Sequence, residues 1–317
     1  MPGNYFVLNI FLTPHVIPGC SCLSKAEDNQ TIIQAMAQAN KIVLIKYGGN
    51  AMRDEAMQQR VAQQIHALRE NGFQPVLVHG GGPFIKRMLE MAGIQSEFID
   101  GHRKTTKEAL PFIEMALKGQ VNGQMVRLLN KADVKAVGLS GKDGQFITAE
   151  KRDHVTEEDG KEVHHDLGRV GDVVKVDPDI IHSLMDSNFV PVVTCIASSE
   201  EGDDYNINGD MLAGHLAGAL NAHLYLVLTD VDGLFRDIDD PQSLIKDLQL
   251  DELPELYDDV IKGGMIPKLD SCRIALSEGA QQAAIINGMK PERILQAAMG
   301  EDVPGTFISQ TRKKTLQ

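Results

Sequence analysis

Ile42-Val43-Leu44-Ile45-Lys46-Tyr47-Gly48-Gly49 is an apolar run that ends in a cation and a glycine turn. Four consecutive branched apolar residues predict a strand buried on both faces, as in a parallel sheet. A lysine at the end of such a strand, opening into glycines, stands where backbone N–H groups can be offered to an anion. A second lysine, Lys268, closes the distant stretch Gly263-Gly264-Met265-Ile266-Pro267-Lys268. Two cations separated by most of the chain imply a polyanion held from both ends.

Working outward, strand-like and helix-like stretches alternate. Ile32, Ile33, Met36 and Ala39 recur near the helical period ahead of the first strand, predicting a short helix over 28–40. After it come a helix over Glu55–Glu70, a strand at Pro75-Val76-Leu77-Val78 and a helix over 84–91. Such alternation predicts βαβ crossovers, an α/β fold and a mostly parallel central sheet. A long helical stretch over 106–131 carries Leu110, Ile113, Leu117, Val121, Met125 and Leu128 in one stripe, either core or a homodimer surface. The polar stretch 151–171, with Asp153-His154 and His164-His165-Asp166, is expected to be a hairpin leaving the sheet, its histidines solvated rather than metal-bound. Further strands are expected at Val190-Pro191-Val192-Val193-Thr194 and over 224–228, and residues 1–27, without a steady period, read as a loosely ordered tail.

The 317 residues are 43% apolar, enough for one large domain or two lobes, and carry a formal net charge of −13. Nucleic-acid and anionic-membrane partners both require a positive footprint, so this charge argues against them. No apolar stretch approaches the roughly 20 residues of a membrane span. Cys20, Cys22, Cys195 and Cys272 show neither zinc-site spacing nor disulfide density, which with the lack of a signal-peptide pattern points to a reducing cytoplasm.

Three strand-to-glycine junctions recur: Lys46-Tyr47-Gly48-Gly49, Val78-His79-Gly80-Gly81-Gly82 and Leu228-Thr229-Asp230-Val231-Asp232-Gly233. In an open parallel sheet all three would face the carboxyl edge, where ligands collect. One glycine pair alone would signify tight packing; three junctions with two lysines point to a ligand. Neither G-x-G-x-x-G nor a Walker A loop nor G-x-S-x-G occurs. Tyr205-Asn206-Ile207-Asn208-Gly209-Asp210 would place Asn206, Asn208 and Asp210 on one face if extended. Asp210 is then either the N-cap of a helix over 211–220 or the carboxylate that aligns both lysines.

Ile45 to Met52, 78–83, Gly138-Leu139-Ser140-Gly141-Lys142-Asp143-Gly144, 205–210, 228–233 and 264–268 together resemble the N-acetylglutamate kinases of the amino acid kinase family, in order and spacing over about 41–308. The resemblance implies an open αβα sandwich of two lobes: an N-lobe over about 41–220 that binds the acyl amino acid and dimerises, and a C-lobe over about 221–308 that binds ATP, with a short tail at 309–317. It implies that Lys46 and Lys268 flank the transferring phosphoryl group, that Asp210 organises them, and that Gly48 and Gly49 cradle phosphate. Gly81 and Gly82 would meet the substrate carboxylate, Arg103 would hold the α-carboxylate, and Asn206 and Asn208 would hold the acyl-glutamate. Thr229, Asp230, Gly233 and Phe235 would belong to the nucleotide segment. It further implies Mg²⁺ carried with ATP, N-acetyl-L-glutamate as acceptor, a homodimer, and a hexamer through the helix at 28–40. Ala284-Ile285-Ile286-Asn287-Gly288-Met289 departs from the motif of arginine-sensitive members, whereas Gly305-Thr306-Phe307-Ile308 matches.

The chemistry suits those residue types. A γ-carboxylate is ionised at neutral pH and needs no general base to attack phosphorus. The task is to bring two anions together, which calls for positioning and neutralisation. The alternatives are a kinase for N-succinylglutamate or an aminoadipate derivative, and a catalytically silent amino-acid sensor or partner-binding protein on the same fold.

Overall fold

The computed structural model of the protein describes residues 40–52, 54–158, 161–257 and 260–310. The helix expected over 28–40, apart from Asn40, and the tail before it lie outside the described residues.

In chain order the first elements are β1 (Ile42–Tyr47), α1 (Glu55–Glu70), β2 (Gln74–His79), α2 (Gly82–Met91) and a two-stranded hairpin, β3 (Phe98–Ile99) with β4 (His102–Arg103). A helical stretch follows as α3 (Ala109–Glu114), a π-helical segment (Met115–Asn122) and α4 (Gly123–Lys131). Then come β5 (Ala136–Ser140), β6 (Ile147–Lys151), the hairpin β7 (His154–Glu158) and β8 (Lys161–His165), β9 (Val170–Val176), α5 (Asp179–Asp186), β10 (Val190–Thr194), β11 (Ile196–Ser198) and β12 (Asp204–Ile207). The last part holds α6 (Gly209–Ala219), β13 (Leu224–Thr229), β14 (Asp247–Gln249), α7 (Leu253–Leu256), α8 (Ile266–Glu278), β15 (Gln282–Asn287), α9 (Arg293–Met299) and β16 (Gly305–Ser309).

Eight strands form one sheet in the order β14-β16-β15-β13-β1-β2-β10-β5. Its pairings are parallel except β15 with β16. β1 is central, with Lys46 in register with Val78 of β2 and Val227 of β13. Its two neighbours come from opposite halves of the chain, so the strand order reverses here, the position where open α/β sheets leave a ligand crevice. Every residue of β1 is buried. Leu44 packs into one apolar layer, while Val43, Ile45 and Tyr47 pack into the other. Alternation therefore turns Lys46 into the first layer with Leu44, and each large apolar side chain so buried contributes about 1.5–3 kcal/mol.

The stripe over 106–131 is core. Leu110, Ile113 and Leu117 lie in one layer and Val121, Met125 and Leu128 in the other, all buried within the single chain. The π-helical widening between them sets Asn122 inward, where its Nδ2 donates to His79 Nε2 and Val192 O, both at 2.9 Å. Widened turns of this kind recur at functional sites. The polar stretch 151–171 does form the β7–β8 hairpin, while β11, β12, β9 and β6 make a small closed sheet. The solvated-histidine expectation fails for His154, whose side chain is 12% exposed and pairs with Asp100.

Candidate active site

The carboxyl ends of β1 and β13 open onto a cleft of about 910 Å³. Its walls include Lys46, Gly48, Gly49, Thr229, Asp230, Gly233, Phe235 and Lys268, which brings both lysines and two of the three glycine junctions together. Pro83, next to the third junction, also lines it.

Asp210 sits between the two lysines. Lys46 Nζ lies 2.8 Å from Asp210 Oδ1, and Lys268 Nζ lies 3.5 Å from Oδ2. Burial alone would raise the Asp210 carboxyl, but Lys46 and Lys268 overcome it and hold the group below the usual carboxylate range. Two ammonium groups against one carboxylate leave one positive charge uncompensated at the inner end of the cleft. The cap alternative for Asp210 is corrected: β12 ends at Ile207, and Asn208 is the N-cap of α6, its Oδ1 accepting from Asp210 N at 2.8 Å and Met211 N at 3.3 Å.

Packing explains how Lys268 travels so far to meet Lys46. α6 and α8 touch through small residues: a Cβ added to Gly214 would come within 2.5 Å of Ser271 O, and one added to Gly218 within 2.4 Å of Glu278 Cβ. The axes can approach this closely only without side chains at those positions, and the close approach sets the first turn of α8 against the first turn of α6. Tyr225 Oη lies 3.0 Å from Ser271 Oγ and donates to Asp210 O at 3.4 Å, while Ser271 Oγ donates to Lys268 O at 2.7 Å. Gly214, Gly218, Tyr225 and Ser271 were not singled out from the sequence; the spacing Gly214-x-x-x-Gly218 was the available signal.

The glycines differ in what they do. At Gly48 a Cβ would stand 2.9 Å from Lys46 Nζ, so its absence lets the ammonium reach the cleft, and Gly49 takes φ 72°. Gly233, at φ 155°, leaves no room for a Cβ, which would fall 2.7 Å from Thr306 Oγ1. Thr306 is fully buried and clips this loop: Leu234 N donates to its Oγ1 at 2.8 Å, and that hydroxyl donates to Ile245 O at 2.7 Å. Asp232 is tied down by Arg293 Nη1 at 2.6 Å and Asn287 Nδ2 at 2.8 Å. These three lie behind the Thr229 to Phe235 loop, and nothing local in the sequence tied them to it.

On the other side, Gly81, Gly82, Arg103, Asn206 and Asn208 do not line the 910 Å³ cleft. Gly81 presses on the helical stretch, its would-be Cβ 2.7 Å from Leu117 Cδ2. α2 begins at Gly82 with no side-chain cap, which leaves its first N–H groups available to an anion. His79 underlies this turn with its Nδ1 2.9 Å from Gly80 O. Burial pushes the imidazole down to about 4, which outweighs the opposing effect of that backbone bond. A neutral ring donating from Nδ1 and accepting from Asn122 at Nε2 satisfies both contacts. Arg103 stacks on the Phe98 ring at 4.5 Å, bonds Ser96 Oγ, and its Nη2 lies 3.5 Å from Gly82 O. Asn206 Nδ2 donates to Thr105 Oγ1 at 3.2 Å.

An open parallel sheet, a crevice at its strand reversal and two lysines bridged by a carboxylate describe a fold that handles phosphorylated ligands. The profile described as "Amino acid kinase family" matches residues 41–287, and the chain belongs to that family. It is 44% identical to the acetylglutamate kinase of Methanocaldococcus jannaschii over 272 residues, 85% of this chain and 91% of the relative. It is 43% identical to the acetylglutamate kinase of Heliobacterium modesticaldum, covering 85% of this chain and 92% of that one. Among solved structures, N-acetylglutamate synthase from Neisseria gonorrhoeae, complexed with coenzyme A and N-acetyl-glutamate, is similar with a TM-score of 0.74 at 21% identity, over 91% of this chain and 64% of that one. At that identity the likeness speaks for the fold alone. Among the described residues, no helix is long and apolar enough to cross a membrane.

Proposed function

We propose that this chain transfers the γ-phosphoryl group of ATP to the γ-carboxylate of N-acetyl-L-glutamate, giving N-acetyl-γ-glutamyl phosphate, the second step of arginine synthesis. The curated relatives support the activity and the acceptor. The observation that carries the chemistry is the Lys46–Asp210–Lys268 bridge, at 2.8 and 3.5 Å, standing between an uncapped helix start and a cleft of nucleotide size.

The nucleotide lies in the 910 Å³ cleft, its phosphates reaching Lys46, Gly48, Gly49 and Lys268. The Thr229 to Phe235 loop, held from behind by Thr306 and Arg293, forms the outer wall. The acceptor lies on the other side, its carboxylate at the Gly81–Gly82 turn and its α-carboxylate on Arg103, with Asn206 and Asn208 beside the acyl-glutamate. The γ-carboxylate oxygen attacks phosphorus as an anion, so no side chain has to remove a proton. Lys46 and Lys268 meet the charge that spreads over the transferring group, and Asp210 keeps both ammonium groups aimed while remaining ionised. Mg²⁺, carried by the nucleotide phosphates, supplies further neutralisation. The acceptor residues thus all precede about 220, while the nucleotide is held both by Lys46, Gly48 and Gly49 before that point and by the Thr229 to Phe235 loop and Lys268 after it. Among the described residues β5 has no strand on its outer edge, which supports a homodimer, since an unpaired edge strand is a ready pairing surface; a hexamer would involve residues 28–40.

Hydroxylamine trapping tests the reading. With MgATP, hydroxamate is expected from N-acetylglutamate and not from N-succinylglutamate, N-acetyl-aminoadipate, aspartate or bicarbonate. Hydroxamate from another of these acceptors would reassign the substrate. None from any acceptor, with ATP still bound, would favour a silent sensor.

A further inference from the structure

Arg103 is carried on a hairpin whose outer end is gripped by histidines from a second hairpin. His102, immediately before Arg103, meets His154 edge-on with ring centroids 5.1 Å apart, and His154 meets His165 at 5.7 Å. His154 and His165 lie directly opposite each other across β7 and β8. His154 Nε2 also lies 3.0 Å from Asp100 Oδ2, in the turn of the β3–β4 hairpin, where Asp100 holds φ 46°. His165 Nε2 lies 2.8 Å from Thr156 Oγ1. Downstream of Arg103 the chain is anchored by backbone bonds, Thr105 N to Leu167 O at 3.0 Å and Arg169 N to Thr105 O at 2.6 Å. Arg103 therefore lies between a backbone anchor and a side-chain clasp.

We propose that Asp100, His102, His154 and His165 form a clasp that positions Arg103 for the acceptor carboxylate, and that the clasp closes with the His102 ring neutral. The inference rests on the reading of Arg103 given above. His154 and His165 are positioning residues with no contact to the reacting atoms.

The charges around the cluster explain why protonation opens it. Asp100 is engaged by His154, and Asp172 by Arg152 Nη1 at 2.5 Å. At the rim Lys104 pairs with Glu97 and Lys151 with Asp166. A protonated His102 would thus add a cation next to Arg152 with no free carboxylate. His102 shows this: burial, Arg152 and then His154 lower its pKa, outweighing Asp172 and Asp100. A histidine whose docked pKa is lowered favours docking fully above its free value near 6.5, and that favour is lost as pH falls below it.

Steady-state kinetics of the full chain between about pH 7.5 and about pH 6 tests the clasp, because both acceptor carboxylates stay ionised over that range. The acceptor KM is expected to rise by up to about fourfold, the most that one histidine with a free value near 6.5 can give over this range, while the nucleotide KM stays within about 1.5-fold, since only the hairpin is affected. His102→Leu should flatten the acceptor profile. His154→Ala should raise the acceptor KM about tenfold throughout, and His154→Gln, which keeps a donor for Asp100, should restore it. An unchanged nucleotide KM certifies folding in each variant. A wild-type acceptor KM that tracks the nucleotide KM, or a His102→Leu profile as steep as wild type, overturns the proposal. Arg103→Ala separates the two readings: a raised acceptor KM there with inert histidine variants sinks the clasp alone, and no change there sinks both. A shift of acceptor KM on adding a zinc chelator in excess magnesium would make the cluster a metal site and overturn the clasp.

Discussion

The two sides of the active site are built differently. The proposed nucleotide side is a walled cleft whose loop is fastened from behind by fully buried Thr306 and by the Arg293–Asp232 pair. The proposed acceptor side is the turn at Gly81 and Gly82, with Arg103 on a two-stranded hairpin held by stacking and exposed hydrogen bonds. A nucleotide side fixed by buried bonds suits a ligand that is always the same. An acceptor side on hairpins suits closure over a smaller molecule, and it is where conditions such as pH will act first. Between them lies the lysine bridge, which belongs to neither side: Lys46 comes from β1 and Lys268 from α8, and Asp210 is the joint.

The largest effect should come from breaking that joint. Lys268→Ala is expected to lower kcat by about 3 kcal/mol, a hundredfold or more, with far less change in acceptor KM. Unchanged turnover would remove Lys268 from the chemistry. The acceptor side should show itself by acid sensitivity next. His79 is held neutral with its pKa near 4, so its favour for the folded state is complete above about 6.5 and fades as pH falls toward 4. That amounts to about 3 kcal/mol, measurable as a fall in urea midpoint that a His79→Gln variant should lack. If that variant stays equally acid-sensitive, the buried ring is not the source.

Smaller effects follow from the packing. Gly214→Ala sets a methyl 2.5 Å from Ser271 O and should cost about 1–3 kcal/mol of stability, with kcat falling as Lys268 shifts. A neutral outcome in both would mean the helices part without moving the lysine. Thr306→Val strands Leu234 N and Ile245 O, for about 1–3 kcal/mol. It should raise the nucleotide KM and spare the acceptor KM; an equal rise in both would erase the distinction between the two sides.

The central strands and the cleft were legible because their signals are local. Ile42 to Ile45 names a buried parallel strand, and a lysine followed by glycines names an anion turn. The long helix was legible as helix but not as a π-helical bend, because the widening answers to His79 and Val192, partners far away in sequence. Asp210 had two local readings, cap or bridge, and the decision fell to where β12 ends: Asn208 takes the cap, which frees Asp210 for the lysines. The histidines of 151–171 looked solvated since their neighbours are polar; Asp100 and His102, about fifty residues earlier, bury His154.

Residue types, their order and their spacing alone determined an α/β chain with a parallel core, three glycine junctions on one edge and two lysines fit for phosphoryl transfer. Tertiary structure alone decided between cap and lysine bridge for Asp210, set Thr306 and Arg293 behind the Thr229 to Phe235 loop, and hung Arg103 between a backbone anchor and three histidines. The physical reason is range. Strand patterning and glycine turns are written in neighbouring residues, whereas a close helix crossing or a ring stack depends on surfaces that become neighbours only once the sheet has formed.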